Sequence, residues 1–464
     1  MDMRGMDRLE EHLRALYERN APPVDEAAFE ARLRSRTAAA RRPQAHGSRQ
    51  RSRLRVAGYA FATVVLVVAV VLGSLAAAKY LWDTTPVVVI TDDDAGMSPA
   101  ATGTPGGTGQ TPATSTTPAG PTTTSQETTT TTAGLAETAT LVWRFQAGGP
   151  IYDPVVSDEV VYVGSGDGHL YALDGQTGVE RWRFKTGDQI TGHVAVSDGT
   201  VFVGSWDSYL YALDARTGAE KWKFQTDGII DRSSPAVSDG VVYFGSVDGN
   251  VYALDAQTGA EKWRFQTGDQ ITCSPTVSDG VVFVGSWDSY LYALEGQTGA
   301  EKWRFQTGDT VIATPVVWGG VVYFGGADRL YLAHLYAADI QTGAQMWAFK
   351  TSGDVDRSSP VIAEGVVYVG TSGGYLQAVS ATSGQEKWNF QTNGKIYASP
   401  TVSDGVVYFG NMDTYLYAVD VKTGEGMWRF KTGDGILSAP AVSNGMIYFG
   451  SNDGYLYAVA PEAR

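Results

Sequence analysis

PTVSDGVVFVGSWDSYLYALEGQTGAEKWRF, residues Pro275–Phe305, contains one complete structural unit. Pro275–Ser278 starts a short strand, and Asp279-Gly280 is a dipeptide favoured in tight hairpins. Val281–Gly285 reads as a second strand, Tyr290–Leu294 as a third and Trp303–Phe305 as a fourth, with glycine-containing turns between them. Such a four-stranded meander cannot bury its faces alone, so copies must stack. The copies are present. Trp143, Trp182, Trp222, Trp263, Trp303, Trp347, Trp388 and Trp428 recur at intervals of 39, 40, 41, 40, 44, 41 and 40 residues. A period near 40 marks a repeat architecture.

Strand order predicts how the array ends. The first three strands occur eight times, beginning near residues 154, 194, 235, 275, 315, 360, 400 and 440. The Trp strand also occurs eight times, but its first copy precedes every other strand and the last set has none after it. The N-terminal Leu141–Gln146 strand is therefore expected to complete the last blade. The expected fold is all-β: an eight-bladed β-propeller of four-stranded antiparallel blades at residues 140–464, closed without open edges. Removing residues 141–146 should damage the eighth blade most. The eight tryptophans are expected to dock between blades. The Asp-x-x-Thr-Gly turns, as at Asp214 to Gly218, are expected to be turn chemistry.

The preceding sequence divides in three. Residues 1–55 carry 13 Arg against 8 Asp and Glu and read as a cytoplasmic, partly helical segment whose residues 6–40 could meet a partner. Residues 56–78 are uncharged and mostly apolar, long enough for one transmembrane helix. Arginines before this run and aspartates after it orient the N-terminus inward, making a single-pass membrane protein with its propeller outside. A cleaved signal peptide is the competing reading, but 55 residues before the apolar run are too many for it. Residues 79–139, rich in Thr, Pro, Gly and Ser, read as a disordered extracytoplasmic linker.

The chain carries a net charge of −15, so all beyond residue 55 is strongly acidic and nucleic acid is an unsuitable partner. One cysteine, Cys273, excludes intrachain disulfides, and five histidines without metal-ligand spacing predict no transition-metal site.

The Ala-Leu-Asp-x-x-Thr-Gly-x-x-x-Trp pattern, at Ala212 to Trp222 and Ala253 to Trp263, resembles the tryptophan-docking repeat of the PQQ-like propeller superfamily, PQQ being pyrroloquinoline quinone. The resemblance covers residues 141–460. It implies a propeller fold, and the superfamily includes quinoprotein alcohol dehydrogenases, BamB-like assembly factors and sensor domains of membrane kinases. The dehydrogenases imply PQQ, calcium and a vicinal disulfide, which a single cysteine cannot form. No cofactor is predicted from the residues themselves; PQQ and calcium enter through the resemblance alone.

Binding candidates are placed where the repeat is broken. The connections leading into first strands, and those between second and third strands, share the variable face. Asp231-Arg232 and Asp356-Arg357 interrupt it in blades 3 and 6, where they could clasp a carboxylate, phosphate or peptide terminus or else pair internally. Trp206 and Trp287 stand on loops of blades 2 and 4, read as exposed aromatics or as traces of recent duplication. Tyr152, Asp153, His193, Cys273, Lys395 and Tyr397 lie nearby in sequence register. Asp328–Leu335 lengthens a loop of blade 5, read as a partner contact or an extended hairpin. The favoured function is a non-catalytic binding or scaffold module for an envelope protein, peptide or small ligand. Ligand sensing through a cytoplasmic partner is the alternative, and a PQQ-dependent dehydrogenase is disfavoured.

Overall fold

A computed structural model describes residues 129–132, 135–327, 332–355 and 357–461. The expected cytoplasmic segment 1–55, transmembrane helix 56–78 and most of the linker lie outside the described residues.

Eight antiparallel sheets form the blades. Blade 4 consists of Thr276–Ser278, Val281–Gly285, Tyr290–Glu295 and Glu301–Gln306, from the inner to the outer strand. Its neighbours repeat this order. The second strands are apolar on both faces because both faces are covered. In blade 1, Val160 and Tyr162 pack towards blade 2, whereas Val161 and Val163 pack towards blade 8. The core is thus a ring of wedges between blades. As expected, blade 8 borrows its outer strand: Thr140–Gln146 pairs antiparallel with Tyr455–Ala460.

The tryptophans dock as the repeat requires. Seven indole Nε1–H groups donate to a carbonyl in the next blade's outer turn at 2.8 to 3.2 Å. Trp263 donates to Gly296 O, which also accepts from the Tyr243 hydroxyl. The ring rests on the turn glycine of the Thr-Gly pair. Gly299 has φ +72°, and a Cβ there would lie 2.6 Å from the Trp263 ring. A left-handed backbone and the lack of a side chain are both needed at that point. The turn aspartates serve the turn as expected, with Asp214 Oδ1 accepting from the Thr217 amide and hydroxyl.

Two sequence expectations are corrected or decided here. The linker does not run to residue 139 as disordered chain. Thr129–Thr131 adds a fifth strand to blade 6, parallel to Glu386–Gln391. Leu135 then packs against the cluster between blades 6 and 7, and Ala139 against that between blades 7 and 8. The physical reason is local: exposed outer strands offer backbone groups to any adjacent extended segment. In blade 5 the insertion extends a hairpin, with strands Val321–Ala327 and Ala333–Asp339. Its tip at residues 328–331 lies outside the described residues.

Candidate functional site: the throat of the ring

The inner strands are three residues long, and the segments feeding them converge on one end of the central channel. Two residues before each inner strand stand Asp153, His193, Ser234, Ser274, Thr314, Ser359, Ser399 and Ala439 in blade order, and all but His193 precede proline. Proline disfavours helical backbone in the residue before it, keeping that residue extended. Each such residue faces its counterpart in the next blade. The His193 amide donates to Ser234 Oγ at 2.8 Å, Ser234 to Ser274 Oγ at 2.9 Å, and Ser274 to Thr314 Oγ1 at 3.3 Å. Thr314 donates to Ser359 Oγ at 3.0 Å and Ser359 to Ser399 Oγ at 2.9 Å. Ala439 has no side-chain acceptor for the next step.

The girdle is completed by charge. Asp153 accepts from the Ala439 amide through Oδ1, and its Oδ2 meets His193 Nε2 at 2.6 Å. Burial is the largest influence on His193 and opposes its charge, but the Asp153 carboxylate outweighs it and raises the imidazole above its ordinary value. The hydroxyl members of this girdle escape sequence reading because each is an ordinary Ser or Thr. The available signal was the residue before proline at the repeat period.

The girdle lines a cavity of about 100 Å³, whose lining includes Tyr152, Asp153, His193, Arg232, Arg357 and Tyr397. With Cys273, which also lines it, the structure brings seven of the sequence candidates together. Blades 3 and 6 each carry one extra residue between a buried apolar anchor and the inner strand: Ile230 to Pro235 and Val355 to Pro360, against Ile271 to Pro275 in blade 4. The bulge exposes Arg232 and holds it at φ +56°. The expected alternative, Asp231 paired with its own arginine, does not form. Asp231 Oδ1 accepts from Thr191 Oγ1 and Trp206 Nε1, both at 3.0 Å. Among the described residues Arg232 forms no ion pair. Arg357 Cζ stands 5.1 Å from the Tyr397 ring centre, and Lys395 Nζ 5.7 Å from the same ring. Asp356 lies outside the described residues. Burial raises the Tyr152 phenol above its ordinary value; Arg232 opposes this, while Asp231 and Asp153 add to it.

Three candidates take other roles. Trp206 and Trp287 are half-buried rather than exposed, and neither belongs to the cavity lining. Their indole N–H groups are used internally, Trp287 donating to Thr272 Oγ1 at 2.8 Å. Cys273 is buried, which pushes its thiol up to about 12. It braces Gly285 through backbone hydrogen bonds at 3.2 Å, just as Ser233 braces Gly245 at 2.7 Å.

The family described as "Outer membrane protein assembly factor BamB" matches residues 103–192, and that described as "Beta-alanine-activating enzyme, beta-propeller" matches residues 195–405. BamB from Moraxella catarrhalis superposes with a TM-score of 0.59 at 21% identity, covering 69% of this chain and 99% of that one. The fold is the PQQ-like β-propeller. Two further solved structures superpose. The computationally designed Ika8 protein gives a TM-score of 0.61 at 20% identity over 68% of this chain and 96% of its own. The quinohemoprotein alcohol dehydrogenase from Comamonas testosteroni gives 0.58 at 18% identity over 71% and 77%. No curated protein matches the sequence. The similar proteins include an assembly factor, a computationally designed protein and an alcohol dehydrogenase, so the fold leaves the chemistry to the throat.

Proposed function

We propose that this chain is a membrane-anchored, extracytoplasmic, non-catalytic binding module. Its throat takes an anionic group, a carboxylate or phosphate, presented by an envelope protein, a peptide or a small ligand. The observation that carries the reading is the pair of guanidiniums at the cavity. Arg232 and Arg357 line it together, while Asp231 is bonded to Thr191 and Trp206, and Asp153 to His193 and Ala439. Two guanidiniums beside an aromatic ring suit a planar oxyanion. The short connections of most blades and the likeness to BamB support a scaffold role. The anchor at residues 56–78 and the outward orientation rest on hydropathy and arginine asymmetry.

The case against a resident quinone rests on the donor set. Cys273 is the chain's only cysteine, is buried and is held by Gly285, so the vicinal disulfide of the dehydrogenases cannot be built here. Among the described residues, no three His, Cys, Asp or Glu side chains gather as metal ligands.

Calorimetric titration of the full chain in detergent tests the reading. Inorganic phosphate, succinate, and PQQ with calcium are the titrants, with Arg232→Ala and Arg357→Ala as variants. Binding of phosphate or succinate that weakens about tenfold or more in each variant is expected, about 1.4 kcal/mol per tenfold. Saturable binding of PQQ with dye-linked alcohol oxidation would overturn the non-catalytic reading. Crosslinking in the envelope, with and without the two substitutions, then identifies a protein partner.

A further inference from the structure

We propose that residues 129–132 and 135–139 form a built-in latch that carries load arriving from the N-terminal side, shielding the strand that closes the ring. The latch is recognised by a change in blade 7, which it crosses. At the start of the outer strand, blades 1 to 4 and 6 carry Glu180, Glu220, Glu261, Glu301 and Glu386, and blade 5 carries Gln345. Blade 7 carries Gly426 instead. A Cβ on Gly426 would lie 2.6 Å from Leu135 Cδ2 and 2.8 Å from Leu135 Cδ1, so Leu135 occupies the space a side chain would need. The following position is Arg181, Lys221, Lys262, Lys302 and Lys387 in five blades, Met346, which is exposed, in blade 5, and Met427 in blade 7. Met427 packs in the same cluster as Ala139. Blade 7 has exchanged a Glu-Lys pair for Gly-Met where this segment passes.

Backbone and charge complete the seat. The Arg429 amide donates to Ala136 O at 3.1 Å, and the Arg429 guanidinium approaches Glu137 at 3.7 Å while lying 4.2 Å from the Tyr415 ring centre. Upstream, Thr129–Thr131 runs parallel to the outer strand of blade 6. Charged outer strands ordinarily repel added strands; here blade 7 is altered where the segment passes. Tension on residue 129 therefore meets the blade 6 pairing, then Leu135 and Arg429, before it reaches Thr140–Gln146. The segment serves whether the upstream chain ends in a membrane or in a partner, so it stands independently of the anion-binding reading.

The test restores the repeat. Gly426→Glu introduces the residue that five blades already carry at this position, so the blade should fold while Leu135 is expelled. Leu135→Gly removes the plug and leaves blade 7 unchanged, and Thr130→Pro breaks the blade 6 pairing alone. Hydrogen exchange on the full chain in detergent should show residues 135–139 exchanging about tenfold faster or more in Gly426→Glu and Leu135→Gly. Thr130→Pro should release residues 129–132 only. Pulled by optical tweezers between residue 120 and the C-terminus, the native chain should give an early rip before ring opening. Both blade 7 variants should lose it and open at lower force. Unchanged exchange in Leu135→Gly, or the same opening force with and without the plug, would overturn the latch.

Discussion

The outer rim and the throat are made by the same eight repeats, yet they differ in what a change costs. At the rim, seven indoles make one kind of hydrogen bond, each to the next blade's turn. At the throat, Tyr152, Arg232, Ile312, Arg357, Tyr397 and Leu437 face a single cavity, and neighbouring blades present different chemistry. The rim residues hold blade to blade, so every copy must perform the same task. Part of the cavity lining is the girdle itself, but Arg232 is exposed and forms no ion pair among the described residues. Variation is free to accumulate there, and binding can be built from it.

The largest test of this contrast is a pair of truncations. Trp263→Ala should cost about 3–5 kcal/mol, because it empties a docking site between blades 3 and 4 and leaves Gly296 O with one donor fewer. Arg232→Ala should change stability by no more than about 0.5 kcal/mol. Urea denaturation of the two variants beside the native chain measures both. Comparable losses would mean that the throat is structural after all. Next in size is Gly299→Ala, which places a methyl 2.6 Å from the Trp263 ring at a backbone angle that disfavours alanine. Overpacking of this kind should cost about 1–3 kcal/mol. A neutral outcome would show that the indole can shift without loss.

Which parts were legible in the sequence follows the same division. The ring, its blade count and its borrowed outer strand were readable because Trp, Thr-Gly and strand alternation recur at a fixed period. The grouping of Tyr152, His193, Arg232 and Arg357 was readable as deviations sharing one face. Other features were not, for physical reasons. Trp206 resembles a loop aromatic until Asp231 and Thr191, brought close only by the fold, accept its N–H. The girdle serines carry no chemistry that distinguishes them from turn serines. The Thr-rich segment has a disordered composition, and Thr129–Thr131 is ordered only through a strand some 260 residues away in sequence. Gly426 did signal its path, but as a missing side chain rather than as a motif.

A smaller effect sharpens the description of the throat itself. His193 titrates above its ordinary value of about 6.5 in the folded chain because Asp153 faces it. A raised folded value means that the stabilisation is fully present below the unfolded value. It is lost as pH rises through the folded one. With 37% of the His193 side chain exposed, solvent screening limits the pair to about 1 kcal/mol or less. Comparing native chain with His193→Gln at pH 6 and pH 9 should show a difference at the lower pH that disappears at the higher. A difference that grows with pH would reverse the assignment and indicate a neutral imidazole in the girdle.

The smallest expected change is also the most specific to function. Arg232 is the one basic residue held at positive φ among the described residues; the other non-glycine residues there are Asp, Glu, Ser, Thr or Asn. Left-handed backbone costs a side-chain-bearing residue roughly 1–2 kcal/mol. Arg232→Gly removes that strain, while the added freedom of the unfolded chain returns part of the gain. The net should lie between zero and about 1 kcal/mol of stabilisation, read as a higher urea midpoint. The same variant should bind phosphate or succinate about tenfold more weakly or worse, as Arg232→Ala does. Strain kept at a site that gains no packing from it is expected where a ligand makes use of the side chain. If Arg232→Gly lowered stability instead, the guanidinium would be holding the throat together, and the division between a structural rim and a binding throat would have to move inward.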